Sequence, residues 1–103
     1  MDDKKLVYEY KTFYDQYVDK YGDKTAILMM VGGFYEYYGI NNEFGNINEL
    51  ASILLMHIAN KSYTDENNNH CKHQMAGFPI NAIDKYTHVL LRNGYTVVIV
   101  DQF

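Results

Sequence analysis

The run Thr25-Ala26-Ile27-Leu28-Met29-Met30-Val31 constrains this chain more than any other stretch. It is continuous, apolar and short. Gly22-Asp23-Lys24 bounds it on one side and Gly32-Gly33 on the other, so it reads as a buried central strand. Such a strand needs cover, and amphipathic segments lie on either side of it. Residues 4–21 place Leu6, Tyr10, Phe13, Tyr14, Tyr17, Val18 and Tyr21 on one helical stripe, and Gly22 is a natural stop. Ile47, Leu50, Ala51 and Leu54 repeat at helical spacing within 47–56. Ile83, Tyr86 and Leu90 repeat likewise within 81–93, with Asn81 as expected N-cap, Asp84 in the first turn and Asn93-Gly94 as the stop.

Further strands are expected around this frame. Residues 34–38 form an aromatic strand or strand-like exit from the glycine pair, and 39–48 read as a loop rich in Asn and Gly. Residues 57–61 begin another strand, 62–69 are polar without periodicity and read as a mobile loop, and 73–76 return as a hairpin partner. Tyr95 to Val100 is strongly β-prone and reads as an interior strand. The expected fold is therefore α/β: a single mixed sheet flanked by about three helices. The chain ends just after a strand, as a domain excised from a longer protein would, and its 103 residues fit one domain.

Composition narrows the function classes. With 48% hydrophobic residues, 11 Tyr and 5 Phe, the chain is not of disordered type. Nine Lys and Arg stand against 13 Asp and Glu, a net charge of −4. That balance argues against tight, non-specific nucleic-acid binding, which depends on neutralising phosphates. Cys71 is the lone cysteine, so no internal disulfide is available, which fits a reducing compartment. No apolar run approaches the ~20 residues of a membrane span, and the start Met1-Asp2-Asp3-Lys4-Lys5 does not resemble a signal peptide. An intracellular protein without membrane association is expected.

Few residues suit catalysis. There is no Gly-x-x-x-x-Gly-Lys-Ser/Thr loop to hold a nucleoside triphosphate. Gly32-Gly33 follows a strand as a phosphate-cradling loop does, but its simpler reading is backbone freedom at a sharp turn. His57, His70, Cys71 and His73 form the one metal-type group, yet their spacing matches no standard finger. They read as solvated loop side chains, and no metal site is expected. A nucleophilic Cys71 lacks an orienting third group.

Phe34-Tyr35-Glu36, behind the glycine pair, carries the most interesting chemistry. In an extended strand Phe34 and Glu36 share a face, an apolar wedge beside an acceptor. Taken alone, the bland reading is a core aromatic with a surface carboxylate as neighbour.

Three motifs in order change that weighting. Met30-Val31-Gly32-Gly33-Phe34-Tyr35-Glu36 resembles the Met-Gly-Asp-Phe-Tyr-Glu signature of the first domain of the MutS family of mismatch-repair proteins. Met75-Ala76-Gly77-Phe78-Pro79 resembles that family's Met-Ala-Gly-Val-Pro segment. The stretch 81–93, Gly94 and the strand to Asp101-Gln102 resembles its helix, Gly, strand and acidic-Gln ending. Tyr14-Asp15-Gln16-Tyr17 before a Gly-Asp-Lys turn fits as well, so the resemblance spans nearly the whole chain.

The resemblance implies a mismatch-recognition module without catalysis or cofactor of its own. Phe34 would stack on the mispaired base from the minor groove and Glu36 would hydrogen-bond it. Gly33, Met75 and Asn81 complete the implied DNA-binding set. Implied partners are mismatched duplex DNA and the remaining domains of a parent that is dimeric and uses ATP and Mg. Two departures stand out: Gly33 replaces the usual acidic residue, and Asn81 stands where relatives often carry a basic or imidazole side chain. These and the longer loops resemble the divergent branch of large DNA viruses and some organelle or bacterial lineages. The alternatives are an α/β protein-interaction domain without base readout, favoured by the acidic charge, and a small metal- or nuclease-type enzyme.

Overall fold

A computed structural model describes residues 3–40 and 45–101. In chain order these form α1 (Asp3–Tyr21), β1 (Thr25–Val31), β2 (Phe34–Gly39), α2 (Ile47–Leu54), β3 (Ala59–Thr64) and β4 (His70–Pro79). A 3-10 turn (Ile80–Ala82), α3 (Ile83–Arg92) and β5 (Thr96–Val100) follow. Among the described residues, the five strands make one sheet in the order β3-β4-β2-β1-β5. β5 runs parallel to β1 and the other pairings are antiparallel, so the expected single mixed sheet with three α-helices is what the chain forms.

The strand pleat explains the layering. Tyr37 and Tyr38 are neighbours on β2 and therefore face opposite ways. The Tyr38 ring meets Tyr10 of α1 edge-on, at 5.2 Å between centroids. The Tyr37 hydroxyl donates to Met56 Sδ, just beyond α2, at 3.3 Å. One face thus belongs to α1, the other to α2 and α3, and β1 is buried between them from Thr25 to Met29. Leu6, Val7 and Tyr10 are the buried residues of α1. Phe13, Tyr14 and Tyr17 pack part-buried, whereas Tyr21, expected on the inward stripe, is 48% exposed at the end of the helix.

Four expectations need correction. Asn81 is not a helix N-cap: it lies inside the 3-10 turn, and Ala82 takes the cap position without any side-chain bond. Pro79 leaves β4 extended, and the Ile80 N–H bonds the Gly33 carbonyl at 3.0 Å, so the chain enters α3 through a tight turn that displaces the cap. β5 is an edge strand, hydrogen-bonded among the described residues to β1, and its β-branched run reflects that parallel pairing.

Residues 62–69 do not form one mobile loop. β3 extends to Thr64, and 65–69 close a hairpin in which the Asp65 carboxylate accepts the Asn67 and Asn69 N–H groups at 2.9 and 2.8 Å. Those donors hold the Asp65 carboxyl below its ordinary range. β3 is polar because it is an exposed edge, which hides its period from sequence. Finally, His73 is not a solvated loop histidine but a buried residue of β4. The expected 39–48 loop includes residues 41–44, and the expected chain ending includes 102–103; both lie outside the described residues.

Candidate functional site

β1 and β2 are joined by Gly32 and Gly33 alone, with Val31 paired to Phe34. A two-residue connection requires positive φ at its first central position when the twist is to match, and Gly32 has φ of +59°. Gly33 has no such requirement, and a Cβ built on it meets nothing within 4 Å. The space that a side chain at Gly33 would enter is therefore open.

Phe34 begins β2 at this tip and is 49% exposed. Large aromatics bury ~150–250 Å² when packed, so an exposed one on an ordered strand is the anomaly of this surface. Across the ladder it faces Pro79, and the neighbouring Ile80 is also exposed. Glu36, two residues on, shares the face of Phe34 and is half-buried. Its carboxylate Oε1 accepts the Tyr38 hydroxyl.

The opposite face of β2 anchors this tip. Tyr35 is buried, packs at 6.0 Å from Phe78 and donates its hydroxyl to Asp101 Oδ1 at 2.8 Å. Phe78 continues the row to Tyr86 of α3 at 4.6 Å. Burial, then the Asp101 carboxylate, raises the Tyr35 hydroxyl above the usual tyrosine range, so it stays a donor. Phe34 is thus presented by a strand pinned from behind.

Gly77 is the cross-strand partner of Glu36. A Cβ there would lie 2.7 Å from the Tyr35 carbonyl oxygen and 3.2 Å from Glu36 Cγ, so the glycine clears the space that Glu36 occupies.

The structure brings Gly33, Phe34 and Glu36 together along one turn and strand, with exposed Asn81 next to Ile80, whose N–H bonds the Gly33 carbonyl. Met75 is not brought there. It pairs with Tyr38, four strand positions or ~13 Å from the Phe34 level, and packs part-buried against the core. Tyr38, Gly77, Pro79 and Ile80 are the neighbours that sequence reading missed. The period-2 alternation of β2 already placed Tyr38 on the Glu36 face; the others required the β2–β4 register.

The metal-type group does not assemble. The pleat sends His70 and Cys71 to opposite faces, and no three His, Cys, Asp or Glu side chains converge among the described residues. Among those residues, no helix is long and apolar enough to cross a membrane.

Comparison with known proteins places the chain in a family. A family profile described as MutS domain I covers residues 5–103. The chain is similar to the DNA mismatch repair protein MutS of Thermus caldophilus, 36% identical over 90 residues, which is 84% of this chain and 10% of that protein. It is similar to the DNA mismatch repair protein MutS of Thermus aquaticus, 30% identical over 97 residues, 94% of this chain and 10% of the relative. A putative DNA mismatch repair protein MutS homologue of Acanthamoeba polyphaga mimivirus is 30% identical over 102 residues, 96% of this chain and 9% of the relative. The chain spans about a tenth of the length of these relatives. With the profile covering nearly every residue, the chain belongs to the MutS domain I family.

Proposed function

We propose that this chain is the mismatch-sensing module of a longer MutS-type repair protein, with Phe34 as wedge and Glu36 as base acceptor. The observation that carries this reading is the half-exposed Phe34 on a rigidly backed hairpin tip, beside a carboxylate on the same face. Stacking an aromatic on a base contributes ~1–3 kcal/mol whichever base it is. Unstacking a step costs a few kcal/mol and least at a mispair, so the wedge enters from the minor groove where pairing is already weak. A carboxylate near phosphates is repelled, which makes Glu36 a penalty on normal duplex, offset where a base donor meets it. Gly33 supplies a close backbone approach, and exposed Asn81 a neutral contact beside it.

The net charge of −4 means that the grip on phosphates comes from elsewhere in the parent. In this reading the parent is dimeric, ATP and Mg act in its other domains, and this module performs no chemistry. The same charge favours a second reading, in which the domain docks another protein and reads no base.

In the full-length parent, Phe34→Ala is expected to abolish the preference for a mismatched over a matched duplex. Unchanged discrimination there moves the assignment to the second reading. Glu36→Ala is expected to weaken discrimination while matched-duplex affinity holds or rises. The isolated domain is expected to bind DNA barely at all at physiological salt.

A further inference from the structure

Tyr38 is placed to control how Glu36 meets a base. It stands two residues beyond Glu36 on β2, on the same face, and its hydroxyl donates to Glu36 Oε1. The ring is 3% exposed. Tyr10 packs against it edge-on with 64° between ring planes, and Tyr10 itself donates to the Ile27 carbonyl at 2.9 Å. His73 lies on its other side, 6.2 Å between ring centroids. The ring that carries the hydroxyl is therefore held against α1 and β4. Burial first, then the Glu36 charge, holds Tyr38 above the ordinary tyrosine range, so it remains a protonated donor. Across the ladder, Gly77 leaves clear the space in which the Glu36 stem lies.

We propose that Tyr38 is a positioning residue for base selection: it occupies Oε1 of Glu36 and leaves Oε2 as one aimed acceptor for a base that carries an N–H donor. The inference rests on the mismatch-sensing reading above and adds the residue that holds the Glu36 carboxylate for it. A carboxylate held in place beforehand loses less freedom on binding than one that turns freely. The imino N–H of an unpaired thymine or guanine is a donor of the required kind. A base edge carrying acceptors alone leaves the carboxylate repelled.

The test is a double-mutant cycle in the full-length protein, reading the ratio of affinities for a G·T-mismatched and a matched A·T duplex. Tyr38→Phe keeps the ring and its packing; it is expected to lower that ratio roughly three- to tenfold, the scale of one pre-ordered side chain. In a Glu36→Ala background the same substitution is expected to change nothing further. An unchanged ratio in Tyr38→Phe overturns the proposal, and so does an equal loss with and without Glu36, which marks a role in sheet stability alone. Glu36→Gln gives a second route that leaves Tyr38 intact. Its amide oxygen keeps the Tyr38 bond and turns an NH₂ donor outward, so the ratio is expected to fall; an undiminished ratio contradicts the single-acceptor geometry. Phe34→Ala separates the layers. If it leaves discrimination intact, base readout itself fails and this inference with it. If it abolishes discrimination while Tyr38→Phe does not alter it, the present inference alone fails.

Discussion

Three glycines at the tip have three different reasons to be glycine, and each gives a distinct expectation. Gly32 needs its positive φ, so Gly32→Ala is expected to destabilise by about 1 kcal/mol or more. Gly33 has no left-handed backbone, and among the described residues nothing lies within 4 Å of an added Cβ, so Gly33→Ala is expected to be neutral or to stabilise by ~0.4–1 kcal/mol through the unfolded chain. Urea midpoints of the two variants check the pair; equal losses contradict the turn geometry described. Gly77 is glycine for clearance. A methyl group there meets a backbone carbonyl that cannot swing aside, so Gly77→Ala is expected to cost roughly 1–3 kcal/mol, as overpacking does, and to displace Glu36. At this scale the sequence was half legible. The shared face of Phe34 and Glu36 follows from strand periodicity, whereas the claim of Gly77 on the same site depends on a register that no local pattern encodes. Met75 entered the expected set through a motif resemblance, and a motif does not say which end of a ten-residue strand reaches the tip.

Among the elements, those with strong apolar periodicity were readable and those at the sheet margins were not. α1, β1 and α2 carry their patterns openly because each buries a defined stripe. β3 exposes nearly every side chain and so has no pattern to read, and β5 has the composition of a central strand while sitting at an edge. Strand order is a property of the assembled sheet, not of any one segment. The Asn81 cap failed because the Ile80–Gly33 bond ties the helix entrance to the β1–β2 turn, a long-range constraint. The end of α2 offers a prediction of its own. Leu55 caps it in the left-handed region with φ of 57° and is 90% exposed, so it bears the backbone cost and gains almost no burial. Leu55→Gly is expected to raise stability by about 1 kcal/mol. A lower thermal midpoint in that variant contradicts the assignment.

At the level of the molecule, α1 and the β3–β4 hairpin are joined around a buried histidine. His73 sits between the rings of Tyr38 and Tyr63, with neither ring nitrogen hydrogen-bonded among the described residues. Burial lowers its pKa from the ordinary 6.5; Asp3, 3.9 Å away, pulls upward and Lys61 downward, and burial prevails. The folded state therefore binds fewer protons than the unfolded one in this window. Its contribution to stability is full above the unfolded value of 6.5 and is lost as pH falls from there through the folded value. Urea unfolding of the chain is expected to show a lower midpoint at pH 5.5 than at pH 7.5, and His73→Leu is expected to flatten that difference. An unaltered slope in the variant contradicts a neutral buried His73. Asp65 has the same sign but acts in a separate window, below its ordinary 3.8.

The proposed role of Phe34 is contact with the mispaired base, and a photocrosslink tests that contact directly. With 5-iodouracil placed opposite guanine in a duplex bound by the full-length protein, irradiation followed by mass mapping should place the crosslink on Phe34, with little yield when the same base is paired to adenine. Crosslinks that map away from this tip, or form equally on the matched duplex, contradict the assignment.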